Sequence, residues 1–228
     1  MRHIFANPKR SIATIAGVAL LAVPLAACGT EDEGSSTSTS SSSSEQSAPE
    51  PVASIDALSG ETTAIALDKG FTDALASLKL TPGVVGDAAL TPEGSLEFPI
   101  TGGNVTVFKP GAVSPYVIGQ IQHVSSGLSL TAGDTTVELT NLNVDPGVSR
   151  VYGDVSVNGE VAVESAFLFQ LDGSTLKPLR TQGDKAILQG TEVKISGVAA
   201  PLLNDTFQTD AVKPGLLVGI ATITVNTK

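Results

Sequence analysis

Residues 150–171 read RVYGDVSVNGEVAVESAFLFQL, and this stretch decides the fold class. Its first half alternates with a period of two, placing Val151, Gly153, Val155 and Val157 on one face and Tyr152, Asp154 and Ser156 on the other. Asn158-Gly159 follows, a pair suited to a two-residue loop with φ > 0 at both positions, and the alternation then resumes from Glu160. Two alternating runs around such a pair form a β-hairpin. Working outward, we expect strands over 95–100, 104–108, 116–123, 128–132, 135–144, 186–190, 191–196 and 216–226 as well. Turn chemistry separates them at Gly102-Gly103, Gly133-Asp134, Asp145-Pro146-Gly147 and Asp172-Gly173-Ser174. Short strands at regular spacing indicate an all-β domain, a β-sandwich or barrel-like arrangement of antiparallel sheets with one or two short helices.

The first helix is expected where Phe71, Ala74, Leu75 and Leu78 fall at i, i+3, i+4 and i+7, with Asp68 as its cap and Pro82-Gly83 closing its exit. A second is expected around residues 198–207, with Pro201 tolerated in its first turn. Alternation along 116–123 sends Val117, Gly119, Ile121 and His123 inward and leaves Tyr116 with Ile118, Gln120 and Gln122 on the polar side. Tyr152 takes the polar side of its own strand beside Asp154.

The chain has 228 residues, 13 basic and 23 acidic side chains, one Cys, two His and no Trp. A single Cys excludes an internal disulfide framework and a multi-cysteine metal site, and a net charge of −10 argues against nucleic acid as a partner. The N-terminus carries an export address. Residues 1–27 hold Arg2, Lys9 and Arg10, no acidic residue, and a 16-residue apolar stretch over 12–27 that ends in small residues. That stretch is shorter than the roughly 20 apolar residues of a spanning helix. Leu25, Ala26 and Ala27 then precede Cys28, which resembles the lipobox of bacterial lipoproteins, where the Cys sulfur takes a diacylglycerol. We therefore expect residues 1–27 to be a lipoprotein signal peptide and Cys28 to anchor the chain to the cell membrane on its extracytoplasmic face. Removing residues 1–27 leaves a net charge of −13.

Residues 28–51 contain no large apolar side chain and an unbroken Ser/Thr run over 35–44, so they read as a disordered tether spanning roughly 25 Å. Residues 52–228 form a single β-rich domain in this reading.

Enzymatic chemistry is poorly provided for. His3 lies in the signal peptide, leaving His123 as the one imidazole beyond it, and no G-x-S-x-G, P-loop, H-E-x-x-H or G-x-G-x-x-G motif occurs. Asp134, Asp145, Asp154 and Asp172 sit in or beside expected turns, where carboxylates ordinarily bond backbone N–H groups. No calcium-loop pattern is present, and the lack of Trp weakens a carbohydrate-binding reading. We expect no enzyme, no metal site and no catalytic residues.

The order of four segments resembles the HtaA-type domain of Gram-positive surface proteins. These are LDKGF (67–71) opening a helix, GSLEFPITGG (94–103), GQIQHVSSGL (119–128) and AAPLLNDTF (199–207). The resemblance spans most of 67–225 and implies a β-rich domain that takes up haem at the cell envelope. In that family a helix-borne tyrosine ligates the iron, supported by a histidine, with a further tyrosine near the C-terminal helix. The histidine matches His123; the tyrosine positions match Ala74 or Leu75, and Phe207. Haem is thus a candidate ligand, with His123 and then Tyr116 as the residues to hold it. The competing reading is a structural or adhesive cell-envelope module without a small-molecule ligand; an apolar cavity around His123 would speak against it.

Overall fold

The computed structural model describes residues 48–228. The signal peptide, the lipobox residues Leu25, Ala26 and Ala27, Cys28 and most of the tether lie outside the described residues. The strands are β1 (Pro51–Ile55), β2 (Glu61–Leu67), β3 (Thr81–Gly86), β4 (Ala89–Leu90), β5 (Ser95–Pro99), β6 (Gly102–Phe108), β7 (Val117–Ala132), β8 (Thr135–Asp145), β9 (Arg150–Val157), β10 (Glu160–Asp172), β11 (Arg180–Gln182), β12 (Lys185–Ile195) and β13 (Leu217–Asn226). Two helices, α1 (Lys69–Ser77) and α2 (Ala199–Phe207), complete the domain. The all-β expectation holds.

All named strand pairs are antiparallel and run in the order β1-β6-β7-β8-β9-β10-β12-β13-β2-β5-β4, with β11 on β12 and β3 on β7. The sheet rolls back on itself. Near its far end the chain leaves β5 and returns to β7: Thr101 N donates to Gln122 O at 2.8 Å, and Val124 N donates to the Thr101 hydroxyl at 2.9 Å. The hairpin at Asn158-Gly159 forms as expected, with φ of 52° and 83°, and Asn158 Oδ1 accepts from Thr136 N at 2.8 Å.

A row of bulges produces the roll. Ser125, Asn141 and Ser165 have φ of 60°, 52° and 50° and lie where the ladders β7–β8, β8–β9 and β9–β10 shift register. Two side chains tie them together. Asn141 Oδ1 accepts from Ser125 N (3.0 Å), Asn141 Nδ2 donates to Asp154 Oδ2 (2.8 Å), and Asp154 Oδ1 accepts from Ser165 N (2.9 Å). Each bulge adds local bend and twist, so one row across neighbouring strands curves the sheet there.

Several boundaries differ from the sequence reading. The runs 116–123 and 128–132 are one strand, β7, interrupted by the bulge; 186–190 and 191–196 likewise merge into β12, with Gly190 at φ 115° where its ladder shifts. Pro82 and Gly83 do not close α1. They lie in β3, paired to β7, because Leu78 and Lys79 (φ 57°) already turn the chain. β2 was not expected, and β1 takes in Pro51, a residue assigned to the tether; proline is tolerated as the first residue of an edge strand. Asp154 stands mid-strand rather than in a turn, whereas Asp145 and Asp172 bond local backbone N–H groups of Val148 and Ser174.

Both helices lie where their patterns placed them. Asp68 Oδ1 accepts from Gly70 N (2.8 Å) and Phe71 N (3.3 Å), the capping geometry of α1, which buries Phe71 and Leu75. At α2 the hydroxyl oxygen of Ser196 accepts from Val198 N and Ala199 N while donating to Phe167 O, so it caps the helix and fastens it to β10.

Candidate functional site

His123 sits on β7 at the last ladder position before the bulge, paired with Leu142 of β8. The alternation sends it inward as expected, and it is 1% exposed. Its Nδ1 lies 2.9 Å from the carbonyl oxygen of Pro99. A carbonyl can only accept, so Nδ1 carries the proton and Nε2 keeps a bare lone pair. Nε2 is buried without a partner. Burial in apolar surroundings lowers the pKa from 6.5, against the smaller opposing effect of the backbone at Pro99 and Phe98, so the ring is neutral at physiological pH. The edge of Phe98 packs on it at 6.1 Å and 61°.

His123 lines a cavity of about 340 Å³ enclosed by the rolled sheet. Core side chains from β2, β5, β7, β8, β12 and β13 build its inner walls, among them Ile65, Phe98, Val144 and Leu188. Loops build the mouth: Ser114, Pro115 and Tyr116 from the β6–β7 connection, Pro146 and Ser149 from the β8–β9 turn, Gly173 and Leu176 after β10. Ser114, Pro115 and Gly173 are exposed, so the space communicates with solvent there. Among the described residues three buried side-chain polar atoms lack partners, His123 Nε2, Thr63 Oγ1 and Asn143 Oδ1, and both His123 and Thr63 line this cavity. Buried polar groups are ordinarily paired, so two orphans in the lining of one cavity single it out.

Tyr116 corrects the sequence reading. It is half-buried against the core and lines the same cavity as His123 instead of standing on the polar side. The strand begins one residue later, at Val117, so the alternation of β7 does not dictate where Tyr116 points. Tyr152 does lie away from the cavity, with its ring against Phe167 at 6.0 Å and its hydroxyl accepting from Arg150 at 3.3 Å. Ala74, at one place where the resemblance puts an iron-ligating tyrosine, lines a separate cavity between the helices and the sheet. Thr63 was missed by sequence reasoning, because β2 itself was not recognised.

No Asp, Glu, Lys or Arg lines either of these cavities. Among the described residues no group of three or more His, Cys, Asp or Glu could hold a metal ion, and no helix is long and apolar enough to cross a membrane.

The rolled antiparallel sheet carrying two short helices is a fold that this chain shares with a solved structure. Among solved structures the chain is similar to the C-terminal domain of HtaA from Corynebacterium glutamicum, at 12% identity and TM-score 0.52, covering 75% of this chain and 98% of that one. The heme binding protein HtaB from the same organism is also matched, at 9% identity and TM-score 0.38 over 76% of this chain and 96% of that one. No family model matches the sequence, and no curated protein does. At 12% identity the property shared with the HtaA domain is the fold.

Proposed function

We propose that this protein is a bacterial lipoprotein, anchored through Cys28 outside the cytoplasmic membrane, whose β domain captures a small apolar molecule without transforming it. Haem is the leading candidate, and His123 Nε2 is the atom that would hold its iron. The observation that carries this reading is the bare, unpartnered Nε2 of a neutral imidazole on the wall of a cavity of about 340 Å³. Small-molecule sites are typically apolar clefts of roughly 300–1,000 Å³ with a few placed polar groups.

The residues fit haem by donor chemistry. A neutral imidazole whose other nitrogen is fixed by a carbonyl is oriented and made basic for iron, the usual outer-shell arrangement of a ligating histidine. Bound haem would supply an iron centre, which His123 Nε2 would hold. His123 orients, the apolar walls exclude water, and Tyr116 stands on the wall nearer the mouth. No basic side chain lines the cavity, so charged propionates belong at the solvent side, by the Ser114 and Ser149 loops.

The adhesive-module reading is disfavoured by the cavity around His123. The membrane anchor rests on the Leu25-Ala26-Ala27-Cys28 sequence. Hemin titration tests the binding half: a Soret shift is expected in the wild-type protein, lost in His123→Ala and retained in Tyr116→Phe. Absence of any shift removes haem. Mass spectrometry of the native protein tests the anchor through diacylglycerol on Cys28.

A further inference from the structure

The mouth of the His123 cavity combines two surface features. Its rim is apolar. Pro115 and Pro146 line it, and Ile118 and Val148 stand just outside, 38% and 53% exposed. The β8–β9 turn lies against Ile118, since a Cβ at Gly147 would be 3.9 Å from Ile118 Cγ2. Val52, 61% exposed, joins them from β1: its neighbour Pro51 pairs with Phe108, whose N–H donates to Tyr116 O at 2.7 Å. Single apolar side chains on a surface need no explanation, but several around one opening form a patch.

The rim also carries accessible positive charge. Lys109 opens the β6–β7 connection, Arg150 follows Ser149 and Lys177 follows Leu176, and all three cations are exposed. None makes a salt bridge among the described residues, whereas Lys69, Lys185, Lys194 and Lys228 all do. Two carboxylates of the same segments are engaged locally. Asp145 Oδ1 accepts from Val148 N at 3.2 Å, and Asp172 accepts from Lys194 Nζ at 2.9 Å and from Ser174 N at 3.0 Å. Glu50, also exposed, precedes β1. In a chain whose net charge is strongly negative, free cations around an apolar opening are a local reversal of sign.

The path of the chain points the same way. β1 runs from Pro51 beside Phe108 to Ile55 beside Val105, away from the mouth, so whatever precedes Pro51 leaves the domain at the mouth end. Cys28 lies 23 residues earlier, a flexible length of roughly 25 Å. An anchor there keeps the mouth nearer the bilayer than the Asn158-Gly159 hairpin at the other end of β9.

We propose that the rim of the His123 cavity docks on an anionic phospholipid bilayer, seating Val148, Ile118 and Val52 among the head groups while Lys109, Arg150 and Lys177 meet lipid phosphates. Interfacial binding of this kind draws on buried apolar area and on attraction to anionic lipid together. An apolar guest then passes between bilayer and cavity without crossing water. The chain-path argument rests on the Cys28 anchor of the proposed function; the rim residues stand without it.

The test uses the chain from Gly29 onward, which contains the compact unit 47–228 and has neither the signal peptide nor a cysteine. A fluorophore sensitive to polarity is attached in Val148→Cys and, separately, in Glu160→Cys at the opposite hairpin. Vesicles of equal parts phosphatidylglycerol and phosphatidylcholine should raise the Val148→Cys signal and leave the Glu160→Cys signal flat, and vesicles of phosphatidylcholine alone should bind more weakly. Lys109→Glu with Lys177→Glu, both at exposed positions and with the fold checked by circular dichroism, should lower affinity for the anionic vesicles by about tenfold or more. The proposal is overturned by no rise at Val148→Cys, by equal rises at both labels, by equal binding to the two vesicle types, or by undiminished affinity in the folded double variant. Because this chain lacks Cys28, failure here is separate from failure to find lipid on Cys28 in the native protein.

Discussion

Replacing His123 by Leu separates a ligand-binding imidazole from a structural one, because the two roles predict different stabilities. The side chain makes one hydrogen bond, Nδ1–H to the Pro99 carbonyl, and carries one orphan, Nε2. Losing the bond costs about 1 kcal/mol, and the Pro99 oxygen left without it adds a further penalty of up to ~1–3 kcal/mol. Against this, Leu removes a desolvated, unpaired nitrogen that itself costs about 1–3 kcal/mol, and adds apolar contact with Phe98 and its neighbours. The net change should therefore lie within about 1.5 kcal/mol of zero, since the opposing contributions have similar size. Urea unfolding at pH 7.5 with unchanged m-value is the assay. Acidification gives a second reading. Burial lowers the folded-state pKa below 6.5, so the unfolded chain binds the proton more readily. The neutral ring's contribution is complete above about pH 6.5 and is lost as pH falls from there towards the folded-state value, with a slope of at most ~1.4 kcal/mol per pH unit. His123→Leu should lack that component. A loss above ~3 kcal/mol at pH 7.5, the range for breaking a core network, would refute the reasoning, as would an unchanged acid slope.

Three further outcomes follow from the geometry. Asp154→Ala removes the acceptor that joins Asn141 Nδ2 to Ser165 N across the bulges and should destabilise by about 1–3 kcal/mol in urea, towards the lower end because Asp154 is only half-buried. Gly127→Ala would set a Cβ 2.0 Å from the Leu139 carbonyl oxygen and 2.9 Å from Thr140 Cα, backbone atoms held in the β7–β8 ladder. It should cost more than ~4 kcal/mol and leave little soluble protein on expression. Ala221→Leu adds about three carbon atoms to a buried wall position of the His123 cavity and should raise stability by about 1–2 kcal/mol, or roughly 2–6 °C in thermal melting, while abolishing the hemin Soret shift. Undiminished hemin binding in a stabilised Ala221→Leu protein would place haem elsewhere.

The parts of the fold legible in the sequence are those fixed by local chemistry. Asp68 reads as a cap and is one; Asn158-Gly159 reads as a tight hairpin and is one; the parity of β9 and of the first half of β7 assigns faces correctly. The misses occur where a long-range pairing outweighs local preference. Glu61–Leu67 (ETTAIAL) mixes two Thr and an Ile with a leading Glu and two Ala, an ambiguous strand composition without clear polar alternation, yet it is held between β13 and β5 over its length. Thr81–Gly86 carries Pro and two Gly, which read as a turn, and becomes a strand because β6 covers only residues 117–122 on that edge of β7, leaving 126–131 free to pair. At the site, His123 and its inward direction were legible because the imidazole stands in an alternating run. Its pairing with Pro99 was not, nor was Thr63 on the same wall or the turn of Tyr116 into the cavity, since each depends on how far the sheet rolls.

That roll links the fold to the proposed function. Protein interiors are close-packed, and apolar pockets of about 340 and 240 Å³ in one domain leave space that larger side chains could fill. The sequence has easy means to close them. Thr63 and Ala221 on the first wall and Ala74 on the second are small where Leu or Phe would fill space, and filling a cavity is among the simplest routes to greater stability. The curvature that separates the walls is itself built: three bulges are aligned by two side chains, Asn141 and Asp154, whose hydrogen bonds serve no other element. The first of these bulges begins immediately after His123, so the device that bends the sheet also fixes the imidazole at the inner wall. A domain selected for rigidity alone would keep the ladders in register and the walls filled; one selected to hold a guest requires the bend, the small residues and an unpaired nitrogen together.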